Sequence, residues 1–150
     1  MFIYIGSDHA GYTLKNQLIK HYNTNNSNFF IDSGCYNLDS VDYPDIAFKV
    51  SNNIIKDNES NINSLGILIC GTGIGMSIAS NKFKHIRSAL IYDINTAEMC
   101  KKHNNANIIC LGARTLDFNN AINLINKFID TEFEGDRHIK RLKKIESYNI

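Results

Sequence analysis

The chain has no apolar run long enough to cross a bilayer, no surplus of charge, no C-x-x-C pair and a single proline. The apolar start Met1–Ile5 is interrupted by Asp8 and His9 before a signal-peptide core or a spanning helix could form, so neither export nor a membrane role is expected and the protein is read as cytoplasmic. Sixteen Lys and Arg face fifteen Asp and Glu, a balance of +1 that argues against nucleic acid or a membrane surface as the main partner and for a small molecule. Cys35, Cys70, Cys100 and Cys110 fall at irregular spacings, which suits reduced thiols rather than a disulfide framework and gives no zinc signature. At 150 residues, one domain spanning 1–150 buries roughly 68–70% of its unfolded surface, enough to need neither disulfides nor a metal.

What is present is an alternation. Strand-like runs occur at Phe2–Gly6, Phe29–Asp32, Leu65–Cys70, Ser88–Tyr92 and Asn107–Leu111. Helical spacing fills Tyr12–Tyr22, Pro44–Lys56, Ile74–Phe83, Thr96–Asn104 and Asn119–Thr131, with a last helix at Asp136–Tyr148. Pro44 suits a first helical position after Tyr43, and Asn95 is the expected N-cap of the fourth helix. The polar stretches Asn23–Asn28 and Asn58–Ser64 read as loops. The pattern predicts an α/β fold: a doubly wound, five-stranded parallel sheet with helices on both faces and a C-terminal helix. Such sheets bind ligands beyond the carboxyl ends of their strands. Those ends carry the reactive residues: Gly6-Ser7-Asp8-His9, Cys70, and Gly112-Ala113-Arg114.

Cys70 closes the buried run Gly66–Ile69 and opens the loop Gly71-Thr72-Gly73-Ile74-Gly75. A loop with so little side-chain bulk lets backbone N–H groups close around an anion, and the positive end of a following helix favours a thiolate. Cys70 is therefore a candidate base or nucleophile. Cys110, inside Ile108–Leu111, reads as core, Cys100 as helix packing, and Cys35 lies in a turn-like stretch. Three familiar loops are excluded: the Gly-Lys-Ser/Thr ending of nucleotide hydrolases is missing, Gly73 and Gly75 are too close for a dinucleotide fingerprint, and Met76 stands where a cysteine phosphatase needs arginine. A Cys-His hydrolase pairing Cys70 with His9 or His103 stays open. On the last helix Arg137 and Arg141 are four apart and could grip one phosphate, although a solvated basic tail has the same pattern.

Gly6–Gly11, Asp42-Tyr43-Pro44, Gly66–Gly75, Asn81-Lys82-Phe83, His103-Asn104, Leu111–Arg114 and Phe133–His138, in this order, resemble the ribose-5-phosphate isomerase B family, which also includes galactose-6-phosphate and allose-6-phosphate isomerases. The resemblance implies reversible aldose–ketose isomerisation in the non-oxidative pentose phosphate pathway, with no metal or organic cofactor. It implies that Cys70 is the base moving a proton between C1 and C2, that His103 opens the furanose ring, and that Asp8 contacts sugar hydroxyls or assists ring opening. Thr72 is a catalytic candidate through its hydroxyl, and Tyr43 and Asn104 line the sugar pocket. The amides of Gly71, Thr72, Gly73, Ile74 and Gly75 would stabilise an enediolate. His9, Arg114, Arg137 and Arg141 would hold the phosphate, with His138 a further contributor, while His21 and His85 match no motif. A homodimer or dimer of dimers is implied, with His103, Asn104 and Arg114 facing the partner's Cys70. A hexose-phosphate isomerase and a non-catalytic sugar-phosphate-binding module are the alternatives.

Overall fold

The computed structural model describes residues 1–25 and 29–148. Five parallel strands, β1 (Phe2–Ser7), β2 (Phe29–Asp32), β3 (Ser64–Cys70), β4 (Ser88–Leu90) and β5 (Ile108–Gly112), are ordered β2-β1-β3-β5-β4. They alternate with α1 (Tyr12–Asn25), α2 (Tyr43–Glu59), α3 (Ile74–Ser80), α4 (Ile94–Asn104) and α5 (Phe118–Asp130), and α6 (Arg137–Glu146) closes the chain. The predicted sheet and its helices are therefore present.

Side chains of the central strands alternate between two cores because a pleated strand sends neighbours to opposite faces. Ile3, Ile5, Ile67, Ile69, Ile109 and Leu111 pack against α1, α4 and α5. Leu68, Cys70, Ile108 and Cys110 pack against α2 and α3. Each such aliphatic side chain, fully removed from water, contributes about 1.5–3 kcal/mol. The chain passes from β1 outward to β2 and returns to β3 on the other side of β1, so the strand order reverses between β1 and β3. The crevice that forms at such a reversal lies between Asp8, just past β1, and Cys70, the last residue of β3.

Several element ends differ from the sequence expectation, each for a local reason. Helix α1 runs on through Asn23–Asn25, because the Asn23 side chain bridges both the N–H (3.3 Å) and the C=O (3.5 Å) of Phe30 and so docks the helix end on β2; residues 26–28 of the expected loop lie outside the described residues. Asn58 and Glu59 likewise belong to α2. Helix α3 stops at Ser80, where the Asn81 amide donates to the carbonyls of Ser77 and Ser88 and its oxygen accepts from the Ser88 N–H, turning the chain into β4. Strand β4 ends at Leu90 because the N–H groups of Tyr92 and Asp93 turn to Thr96 Oγ1. The N-cap of α4 is Asp93, not Asn95: its carboxylate accepts from the Thr96 N–H at 2.7 Å in a reciprocal capping box. Tyr43 opens α2 with Pro44 in its first turn, as the proline indicated.

Candidate active site

Main chain builds the first part of the site. Cys70 is in register with Gly112, and its carbonyl accepts from the Ala113 N–H at 2.9 Å while the Gly71 carbonyl accepts from the Arg114 N–H at 3.0 Å. The end of β5 thus fixes where the cysteine loop leaves the sheet. Gly73 then takes φ +79°, a left-handed conformation that glycine adopts without strain, and its N–H donates to Cys70 Sγ at 3.1 Å. A hydrogen bond of this kind is strongest when the acceptor is an anion. The other loop glycines leave room for neighbours: a Cβ on Gly71 would lie 3.1 Å from the Arg114 guanidinium carbon, and one on Gly75 2.7 Å from the Tyr43 ring. Cys70 is thereby flanked by a cation on one side of its loop and an aromatic ring on the other. Thr72 Oγ1 accepts from the Ile74 N–H at 3.4 Å, so that hydroxyl supports the loop.

Asp8 and His9 enter from β1. The Asp8 N–H donates to Ile69 O at 3.1 Å, joining the ends of β1 and β3, and its Oδ1 accepts from the Gly11 N–H at 3.1 Å. His9 Nδ1 accepts from the Val41 N–H at 3.4 Å.

A second group collects where α4 ends and α6 begins. His103 and His138 stack with ring centroids 4.4 Å apart and planes 10° from parallel. Glu134 Oε2 lies 3.6 Å from His103 Nε2, and Arg137 Nε donates to His138 Nε2 at 3.4 Å. Burial, followed by the charges of His103, Arg137 and Arg141, holds the His138 pKa below the ordinary imidazole value against the opposing pull of Glu134. A neutral ring is what an acceptor of the Arg137 N–H must be. The donor atoms of His103, Glu134 and His138 lie within 4.8 Å of one another. They make a poor cation site nevertheless, because stacked rings direct their lone pairs side by side instead of at one point, and Arg137 already occupies one of them.

The whole chain has counterparts among known proteins. The ribose/galactose isomerase family model matches residues 3–145. The chain belongs to this family. It is 42% identical over 137 residues to ribose-5-P isomerase B of Listeria innocua, covering 91% of this chain and 89% of that one. Ribose 5-phosphate isomerase from Thermotoga maritima superposes with a TM-score of 0.91 at 40% identity over 98% of both chains. Ribose-5-phosphate isomerase B from Mycoplasma genitalium, solved with bound ribulose-5-phosphate, gives 0.91 at 39% identity over 98% of this chain and 95% of the other.

Within this ribose/galactose isomerase chain, the candidates named from sequence fall into the two groups just described. Asp8, His9, Tyr43, Arg114 and the loop Gly71–Gly75 accompany Cys70. His103, Arg137 and Arg141 belong to the other group, and Asn104 lines a cavity of about 260 Å³ together with Arg87 and Leu142. The Arg114 guanidinium lies over Gly71 of its own chain. Sequence reasoning gave Glu134 no role, although it stands inside the Phe133–His138 motif four residues before His138. The three other thiols look inert. Cys110 is fully buried with its pKa pushed up to about 12 by burial, Cys100 is pushed up to about 11 for the same reason, and Cys35 Sγ donates to Asn37 O at 3.3 Å.

Proposed function

We propose that this protein interconverts ribose 5-phosphate and ribulose 5-phosphate, with Cys70 as the base, and so serves the non-oxidative pentose phosphate pathway. The observation that carries the reading is the Gly73 N–H aimed at Cys70 Sγ, at the point where the strand order reverses. His103 first opens the furanose by moving a proton between the ring oxygen and the anomeric hydroxyl, a task for the side chain that ordinarily titrates near neutrality, and Asp8 holds the sugar hydroxyls. The Cys70 thiolate takes the hydrogen from C2 of the open aldose as a proton, leaving an enediolate. It returns that proton to C1 while the hydroxyl proton passes from O2 to O1, so no atom is lost and no external oxidant is required. With the Gly73 N–H given to Cys70 Sγ and the Ile74 N–H to Thr72 Oγ1, the remaining loop amides of Gly71, Thr72 and Gly75 stabilise the enediolate oxygen, each such donor being worth about 10²–10³ in rate. His9, Arg114, Arg137 and Arg141 hold the phosphate, whose binding positions C1 and C2 at the sulfur.

The active unit in this reading is a homodimer, alone or paired into a tetramer, in which the His103 group of one subunit completes the Cys70 loop of the other. One feature supports it: α3 leaves Ile74 and Ile78 exposed beside the loop. Phosphorylated sugars as substrates and four free thiols fit work in the cytoplasm. Assays of the purified protein on ribose 5-phosphate, allose 6-phosphate and galactose 6-phosphate test the proposal. Turnover is expected to be highest on the pentose, and a preference for either hexose would overturn the substrate assignment.

A further inference from the structure

Lys15 is a charged side chain with no exposure to solvent, and no step of the proposed reaction uses it. It stands in the first turn of α1, its Nζ 2.6 Å from Asp32 Oδ2 at the end of the edge strand β2. The rings of Tyr12 and Tyr36 flank the ammonium, each with its centroid 5.7 Å away. An ion pair that buries its lysine completely gains little stability over an apolar contact of equal volume. What it supplies here is direction, because the carboxylate faces two ways.

While Asp32 Oδ2 takes the lysine, Oδ1 accepts from the Gly34 N–H at 2.9 Å and the Asp32 carbonyl accepts from the Tyr36 hydroxyl at 3.4 Å. The segment after β2 is hooked in turn onto β1: Ser33 N–H to Ile5 O at 2.8 Å, Ser7 N–H to Gly34 O at 2.6 Å, and Cys35 N–H to Ser7 O at 2.7 Å. Six residues further on, the same segment delivers the Val41 N–H to His9 Nδ1. His9 precedes α1, and α1 carries Lys15. The contacts therefore form a closed circuit, from His9 through α1 to Lys15, across to Asp32, and back through the loop to His9.

We propose that the Lys15–Asp32 pair is a positioning device that fixes which nitrogen of His9 carries its proton. A ring nitrogen that accepts from an amide is unprotonated, so the proton of a neutral His9 resides on Nε2. Phosphate oxygens only accept, and a neutral imidazole can bind them only through that N–H. Lys15 and Asp32 act on substrate through His9, never by touching it. The inference rests on His9 as a phosphate ligand.

The test combines kinetics on ribose 5-phosphate with the ¹⁵N imidazole spectrum of His9, in Lys15→Met and Asp32→Asn, each alone and with His9→Ala. Asp32→Asn keeps the side-chain shape on a partly exposed residue, so it carries the test if Lys15→Met fails to fold. In the native background KM should rise about tenfold with kcat changed less than about twofold, and in the His9→Ala background the same substitution should move KM less than about twofold. The His9 spectrum should pass from one tautomer to a mixture. Equal KM effects in both backgrounds, or an unchanged tautomer, would overturn the proposal. Absence of turnover by the native protein would instead refute the isomerase reading, and the His9 spectrum would still decide the positioning role.

Discussion

At the Cys70 loop the reactive atom is held by main chain, whereas around His103 the reactive groups are held by one another. Cys70 is set by strand register, two backbone hydrogen bonds to β5 and the Gly73 amide. His103 depends on a ring stack and a 3.6 Å contact to a half-exposed carboxylate, on helices that meet the sheet at a distance from Cys70. A backbone-built site keeps its geometry through most side-chain changes, because the hydrogen-bond ladder defines it. A site made of mutually stacked titratable groups responds to pH and to whatever packs over it. The first is fixed by backbone, the second by side chains alone.

The largest effect should follow removal of the sulfur. Cys70→Ala is expected to lower kcat about 10³-fold or more while sugar-phosphate affinity, measured by calorimetry, stays within a few-fold; undiminished turnover would strip the loop of its role. Next comes the relation between the two regions. Cys70→Ala and His103→Gln proteins, each nearly inactive, should recover about a quarter of native activity when unfolded and refolded together, since random pairing leaves half the dimers mixed and one intact site in each. No recovery would mean that each chain builds its own site.

A smaller loss is expected from Gly73→Ala, which forces a side chain into φ +79° with its Cβ 2.6 Å from Leu90. Denaturant unfolding should show a destabilisation of about 1–2 kcal/mol, with a larger fractional loss of kcat because the amide on Cys70 moves. A pH response is expected at His138. The His138 pKa is lowered by folding, so between its folded value and the ordinary ~6.5 the unfolded chain binds more protons, and the stability due to the neutral ring, present above that window, is lost as the pH falls through it. The native melting temperature should therefore drop more than that of His138→Gln on going from pH 7.5 to 5.5. The least change is expected at the core thiols: at pH 8 iodoacetamide should leave Cys100 and Cys110 unmodified in the folded protein, as mass spectrometry would show.

The cysteine loop was legible because its determinants are local. An apolar run ending in a thiol and three closely spaced glycines dictates strand and loop within ten residues. The stacking of His103 on His138 was not legible, because 35 positions separate two residues that meet only when α6 lies against α4. Nor was the bond between Asp32 and Lys15, whose side chains look like two ordinary surface charges in the sequence. The misplaced N-cap of α4 has a similar cause. Asp93 and Asn95 are both good capping residues, and only the reciprocal bond with Thr96 selects the first.

Composition and periodicity by themselves point this chain to an α/β fold, since apolar runs alternating with helical spacing bury their side chains on a parallel sheet with helices on both faces. Tertiary structure decided the rest: that Arg114 covers its own loop, that His9 Nδ1 accepts from the Val41 N–H, and that a buried lysine lies between two tyrosine rings. Those outcomes depend on contacts between residues far apart in the chain, and such contacts acquire their free energy only after the sheet has brought their backbones within reach.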